Sequence, residues 1–113
     1  MNTFKDGLIQ AMVNILTNAK EALIRNKVVE AKINILCYED SKSVYITISD
    51  NAGGISEEIL HNIFTPYFST KVDKNGAGLG LYITKTIVEE TLDGVLSLKN
   101  LENGVEFTIE LLK

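Results

Sequence analysis

Two periodicities alternate along this chain, and their order limits the folds that it can adopt. Apolar residues recur every three or four positions from about residue 5 to residue 26, as they do on one face of an amphipathic helix. In the next two stretches, 31–39 and 44–50, every second residue is apolar, as in strands with one buried face. The polar loop between them is short, so the pair is predicted to be an antiparallel hairpin.

The second half of the chain again combines helical segments with a pair of strands. Ser56 is placed to cap a short helix that ends near Phe64, and residues 65–77 are predicted to be irregular. A helix is expected from about Gly78 to Thr91, with Ile83, Ile87 and Val88 as its apolar stripe, followed by strands near 94–100 and 104–112. Helices interspersed with hairpins predict a two-layer α/β sandwich of a mixed sheet and about three helices.

Size and composition exclude several classes of protein. The 113 residues fit one domain, 1–113, and the net charge of −4 provides no basic footprint for nucleic acid. No apolar run approaches the roughly 20 residues of a membrane span, and no signal peptide opens the chain. We therefore expect no direct membrane contact of this domain and a cytoplasmic location, and the membrane anchoring of a parent protein stays open. The single cysteine, Cys37, excludes an internal disulfide and is expected in the core, on the buried face of its strand.

Two asparagines interrupt the apolar pattern of the first helix. Asn14 and Asn18 are four residues apart and lie one turn from each other on one face, which Glu21 shares. Asparagine is a mediocre helix former, so two of them in this segment need a reason. They form either a polar stripe that faces solvent or an oxygen site, since an amide oxygen is a hard ligand that suits Mg²⁺.

A turn rich in small residues follows the second strand and reads Asp50-Asn51-Ala52-Gly53-Gly54-Ile55. Asp50 can simply begin the turn, because aspartate bonds nearby backbone amides. It can also accept a hydrogen bond from the amino group of a base in an apolar pocket. Gly54 would then let the ring approach the backbone, and Ile55 would supply apolar contact. The turn alone leaves both interpretations open.

Glycines stand at alternate positions just before the second long helix, at Gly76, Gly78 and Gly80. Free amides at a helix N-terminus, together with the helix dipole, form an anion site. The segment differs from the dinucleotide-binding fingerprint because its third glycine is one residue early and no parallel βαβ unit precedes it. It is not a P-loop either, because no Gly-Lys-Ser/Thr follows.

In this order, the Asn14–Asn18 helix, the Asp50 turn and the glycine-rich segment resemble the catalytic ATP-binding domain of sensor histidine kinases. That domain belongs to a superfamily shared with DNA gyrase, heat-shock chaperone and mismatch-repair ATPases, whose ATP-binding fold is the Bergerat type. The segment 63–71, Ile-Phe-Thr-Pro-Tyr-Phe-Ser-Thr-Lys, is similar to the phenylalanine box of the kinases, and 18–23 is similar to the nitrogen-sensor subtype. The resemblance runs from about Leu8 to Leu112.

The resemblance implies a role for each matching residue. Asn18 would ligate Mg²⁺, with Asn14 beside it touching metal-bound water or phosphate, and Asp50 would bond the adenine amino group. The residues that would line the adenine pocket are Gly54, Ile55 and Leu81. A mobile lid would be anchored by Phe64 and Phe68, and its backbone would close over the phosphates at Gly76, Ala77, Gly78, Leu79 and Gly80. Lys71 would be the cation near the phosphates, unless it is an ordinary exposed loop lysine.

Three positions depart from what the resemblance implies. The water-activating ATPases of the superfamily carry a glutamate where Asn14 stands, and an amide cannot act as a general base near neutral pH, which favours the kinase branch. Many histidine kinases carry a lysine where Glu21 stands, and the role of Glu21 stays open. Val105 replaces a threonine that lies near the adenine in relatives, and Thr108 is the candidate to contribute there.

The resemblance implies that the chain binds Mg²⁺–ATP and presents the γ-phosphate to a histidine on a separate dimerisation and phosphoacceptor domain, with a response regulator downstream. The only histidine, His61, does not match the phosphoacceptor position. The isolated domain is expected to be monomeric and inactive in autophosphorylation alone. Two alternatives remain: a serine/threonine protein kinase of the anti-sigma-factor type, and a non-catalytic nucleotide-binding module.

Overall fold

The computed structural model describes residues 3–56 and 80–113, beginning with a long helix, α1 (Thr3–Arg25). Asp6 in the first turn and Arg25 in the last turn suit the helix dipole. The buried residues of α1 recur at every fourth position and are Ala11, Ile15, Ala19 and Leu23. The helix predicted from about residue 5 to residue 26 is therefore confirmed.

A left-handed residue ends α1. Lys27 has a φ of 53°, in the left-handed region that glycine adopts more readily than other residues do. The backbone N–H of Val28 donates to the carbonyl of Leu23 at 3.1 Å, and the N–H of Lys27 donates to that of Ile24 at 3.1 Å. These two bonds make a Schellman motif, which satisfies carbonyls at the end of the helix.

Two hairpins form one four-stranded sheet. The first consists of β1 (Ile33–Glu39) and β2 (Ser43–Asp50), and the second of β3 (Val95–Asn100) and β4 (Val105–Leu112). The spatial order is β1-β2-β4-β3, so one strand of each hairpin lies at the centre. Every pairing is antiparallel. The α/β class and both hairpins are confirmed, but in the described residues the sheet is antiparallel and not mixed.

The second helical segment begins as an α-helix, α2 (Gly80–Thr86), and continues as a π-helical segment, Ile87–Thr91. Of its predicted stripe, Val88 is fully buried and Ile87 is half-buried, but Ile83 is 42% exposed. Thr84 is buried in its place. The prediction for Ile83 is therefore wrong, because the face towards the core passes through the next residue along the helix.

The core lies between the helices and one face of the sheet. α1 packs on β2, and the π-helical segment packs on both α1 and β3. The alternation predicted for the last strand is confirmed, since the buried residues of β4 are Val105, Phe107, Ile109 and Leu111. From the neighbouring elements, the core receives Ile15, Ile46, Ile48, Val88 and Leu96.

The edge strand β1 differs most from its prediction. Its register places Cys37 opposite Ile46 and Ile35 opposite Ile48, so the predicted face is the one that continues the core. All seven residues of β1 are nevertheless exposed. Cys37 is exposed as well, so its assignment to the core is wrong. Alternation identifies the face of a strand, but the elements packed on that face decide whether it is covered. The π-helical segment packs on the other edge strand, β3, whereas no described helix has a comparable contact with β1.

Two predicted elements lie in the stretch 57–79, outside the described residues. They are the short helix after Ser56, which is expected to end near Phe64, and the irregular segment 65–77. Within 3–56 and 80–113, no helix combines the length and the apolar character that a membrane span requires.

Replacing Lys27 by glycine tests the end of α1. Glycine adopts positive φ without the penalty of a Cβ, although it also adds entropy to the unfolded chain. Lys27→Gly is expected to raise the free energy of unfolding by about 0.5–1 kcal/mol, measured by urea denaturation. The matched control is Lys20→Gly at an exposed interior position of α1, which should lower it by about 1 kcal/mol. Equal losses in both variants would contradict this account of the helix end.

Candidate functional site

Asp50 ends β2 on the side of the sheet that the helices cover. It shares its face with Ile46 and Ile48, and it is half-buried. Its Oδ1 accepts the backbone N–H of Ala52 at 3.0 Å, and the backbone N–H of Val105 also bonds its carboxylate. Burial raises the pKa of Asp50, while these two amides act in the opposite direction.

The bond to Ala52 shows that Asp50 begins the turn, as one of its two interpretations predicted. A carboxylate has about four lone-pair positions, so two backbone donors leave capacity for another donor. The second interpretation, acceptance of a donor from a ligand, is therefore compatible with the first. A half-buried carboxylate forms a stronger hydrogen bond to such a donor than an exposed one does.

Two asparagines fasten the Asp50 turn to the chain that precedes the sheet. The Oδ1 of Asn51 accepts the backbone N–H of Lys32 at 2.8 Å, and its Nδ2 donates to the carbonyl of Glu30 at 2.8 Å. The Nδ2 of Asn26, just beyond α1, donates to the carbonyl of Ala52 at 2.6 Å. The turn is thereby tied to the end of the helix that carries Asn14 and Asn18.

The turn between β3 and β4 holds the Asp50 turn from the other side. The backbone N–H of Gly53, which has a φ of 95°, donates to the carbonyl of Asn103 at 2.8 Å. Gly104 lies directly against the backbone of Asp50, and a Cβ there would overlap the Asp50 carbonyl oxygen. Asn100 bonds both backbone groups of Ile55. Sequence reasoning missed Asn26, Asn100 and Gly104, because their partners are distant in the chain.

The asparagine pair lies beside the buried stripe of α1. Asn14 and Asn18 are both half-buried, whereas Glu21 is exposed. The Oδ1 of Asn14 accepts a hydrogen bond from the Nε2 of Gln10 at 2.7 Å. Among the described residues, the amide of Asn18 has no hydrogen-bond partner. The amide oxygen of Asn18 is therefore available, and it is a hard donor of the kind that Mg²⁺ prefers.

The remaining predicted positions divide into two groups. Gly54 is exposed, Ile55 and Leu81 are half-buried and pack against the core, and Gly80 is the first residue of α2. Outside the described residues lie His61, Phe64, Phe68, Lys71, Gly76, Ala77, Gly78 and Leu79. Thr108 lies on the face of β4 opposite to the one that carries Val105 and Phe107, which is also opposite to the face of Asp50.

Comparison with known proteins identifies the family to which this arrangement belongs. Residues 4–113 match the histidine kinase-, DNA gyrase B- and HSP90-like ATPases. The chain belongs to this family. The membership of the ATP-binding superfamily that the motifs predicted is therefore confirmed, and the relatives point to its histidine kinase branch.

The curated relatives carry names of sensor kinases. The chain is 39% identical over 108 residues to the sensor histidine kinase ZraS of Salmonella typhimurium, covering 94% of this chain and 22% of ZraS. It is 33% identical over 106 residues to the C4-dicarboxylate transport sensor protein DctB of Rhizobium meliloti, covering 94% of this chain and 16% of DctB. The chain therefore spans only about a fifth of the length of these relatives.

A solved structure supports the same family. The catalytic domain of the histidine kinase ThkA, in a nucleotide-free form, matches with a TM-score of 0.81 at 33% identity. The match covers 96% of this chain and 68% of that one. The fold of the chain is thus that of a histidine kinase catalytic domain.

The pH dependence of stability tests the burial of the Asp50 carboxylate. Burial raises the pKa of Asp50 above its ordinary value of 3.8, so the folded state binds this proton more tightly than the unfolded state does. The contribution of Asp50 to the free energy of unfolding therefore decreases as the pH rises from 3.8 through the raised pKa. Over this interval, the free energy of unfolding of Asp50→Asn, measured by urea denaturation, should rise relative to that of wild type.

Asp40→Asn is the matched control with the opposite sign. The backbone N–H groups of Lys42 and Ser43 lower the pKa of Asp40, so the contribution of this residue is present above pH 3.8 and is lost as the pH falls through the lowered pKa. As the pH rises, the free energy of unfolding of Asp40→Asn should therefore fall relative to that of wild type. A shift of the same sign in both variants would contradict the burial of Asp50.

Proposed function

We propose that this chain is the catalytic domain of a two-component sensor histidine kinase and that it holds Mg²⁺–ATP with the γ-phosphate directed to a histidine of another domain. The observation that supports this most strongly is the Asp50 carboxylate. It is half-buried, it has acceptor capacity beyond its two backbone partners, and it lies in a turn that is fastened on both sides.

Asp50 would recognise the base through the exocyclic amino group of adenine. Guanine carries a carbonyl at the corresponding position, and two acceptors facing each other repel. The carboxylate would therefore both bind ATP and disfavour GTP. Gly54, Ile55 and Leu81 would contact the ring, since two of them are half-buried beside the core and the third carries no side chain.

Asn18 would hold the metal ion, with Asn14 beside it. Bound Mg²⁺ would neutralise charge on the phosphates. The backbone of residues 76–80 and the side chain of Lys71 would supply further positive potential, in keeping with the sequence resemblance. The negative net charge of the chain is compatible with ATP, because oriented backbone amides and the metal provide the local field.

Asn14 explains why the proposed reaction is transfer and not hydrolysis. Its amide cannot remove a proton from water near neutral pH, and its Oδ1 is already engaged by Gln10. The domain would contribute binding, orientation and charge neutralisation, which are the main protein contributions to phosphoryl transfer. The acceptor histidine would be on a dimerisation domain of the longer protein, which would act in the cytoplasm and pass the phosphoryl group to a response regulator.

Removing the Asp50 carboxylate tests the adenine assignment. Asp50→Ala should weaken ATP binding by about 1–3 kcal/mol, because a buried polar partner of the base is lost. Isothermal titration calorimetry of the variant and wild type measures the change, and circular dichroism checks that both are folded. Asp6→Ala, at an exposed position in the first turn of α1, is the control and should bind as wild type does. An unchanged affinity in Asp50→Ala would remove this residue from the site.

Replacing Asn18 tests the metal assignment. Asn18→Ala should weaken ATP binding in the presence of Mg²⁺ and should leave metal-free binding in EDTA almost unchanged, because only the metal-bound complex uses the amide oxygen. Thr17→Ala, at the exposed neighbouring position, is the matched control. An equal loss with and without Mg²⁺ would contradict the role of Asn18 as a ligand.

A further inference from the structure

The side chain of Asn100 holds the far end of the Asp50 turn. Its Oδ1 accepts the backbone N–H of Ile55 at 2.9 Å, and its Nδ2 donates to the carbonyl of Ile55 at 2.7 Å. One amide thus satisfies both backbone groups of one residue, as a neighbouring strand would. Asn100 is 45 residues away in sequence and is the last residue of β3.

The local geometry leaves little freedom in this contact. A Cβ at Gly54 would lie 3.0 Å from the Oδ1 of Asn100, so the absence of a side chain at Gly54 allows the amide to reach the chain. Asn100 is itself held beside the β3–β4 turn, because the N–H of Leu101 donates to the carbonyl of Gly104 at 2.8 Å. Gly104 in turn lies against Asp50. The same turn therefore positions both ends of the segment 50–55.

We propose that Asn100 is a positioning residue for base recognition and that it contributes to the preference for adenine over guanine. The inference rests on the function proposed above. Discrimination between the two bases requires the Asp50 carboxylate and the backbone of 54–55 to be fixed relative to one another, because a mobile acceptor can turn away from the guanine carbonyl. Asn100 fixes this relation without contacting the nucleotide itself.

The exposure of Asn100 separates this role from general stability. Its side chain lies at the surface and outside the core, so its removal leaves the packing of Ile48, Phe107 and Ile109 unchanged. Loss of an exposed side chain usually changes stability little. A large functional effect would therefore not follow from unfolding.

The test compares wild type, Asn100→Ala and Asn34→Ala. Asn34→Ala is the same chemical change at an exposed position of β1, on the face of the sheet opposite to Asp50. Amide hydrogen exchange followed by nuclear magnetic resonance reports whether the N–H of Ile55 is protected, with no nucleotide present. Calorimetry then gives the dissociation constants for Mg²⁺–ATP and Mg²⁺–GTP.

In Asn100→Ala, the Ile55 amide should exchange faster, ATP affinity should fall about tenfold, and the ratio of ATP to GTP affinity should decrease. The control should match wild type in all three measurements. If Asn100→Ala binds both nucleotides as wild type does, or loses affinity for both by the same factor, the positioning role is overturned while the proposed function stands. If wild type binds neither nucleotide, the proposed function fails and this inference fails with it.

Discussion

The close contact between Gly104 and the backbone of Asp50 is the constraint on which the candidate site depends. It brings the turn of the second hairpin against the end of β2, which puts the backbone N–H of Val105 within bonding distance of the Asp50 carboxylate. The same approach lets the carbonyl of Asn103 and the amide of Asn100 reach the turn that follows Asp50. Any side chain at position 104 would separate these parts, because it would occupy the volume of the Asp50 carbonyl.

This contact also explains how an α/β sandwich places a charged group beside an apolar core. Asp50 lies at the end of β2, on the face that buries Ile46 and Ile48, where an ionised carboxylate is unfavourable. Backbone amides on both sides offset part of that cost, and the remaining acceptor capacity is available to a ligand. Asn26 and Asn51 then connect the turn to α1 and to the residues before β1, so that the helix bearing Asn18 and the Asp50 turn are mechanically linked.

Much of the fold could be predicted from the sequence because its elements are strongly periodic. The stripe of α1 and the alternation in β4 identified their buried faces correctly. Alternation failed for β1, where Cys37 and Ile35 face the core side but lie at an exposed edge, since the sequence does not show where the helix layer ends. In α2, Thr84 is buried and Ile83 is exposed. Each of them lies one helical turn before the apolar pair Ile87 and Val88, so the helical period alone does not decide which of the two faces the core.

The site shows the same division. Asp50 and the asparagine pair were recognisable because they fall within short local motifs, whereas Asn26 and Asn100 act on residues 26 and 45 positions away.

The most direct test of the proposed site is a titration of the ¹⁵N-labelled chain with Mg²⁺–ATP, followed by amide chemical shifts. Among residues 3–56 and 81–113, the largest changes are expected at Asn18, in the segment 50–55, at Leu81 and at Val105, with little change at Asn34 or Ser97 on the opposite face of the sheet. Changes centred on that opposite face, or no changes at all, would contradict the proposed site.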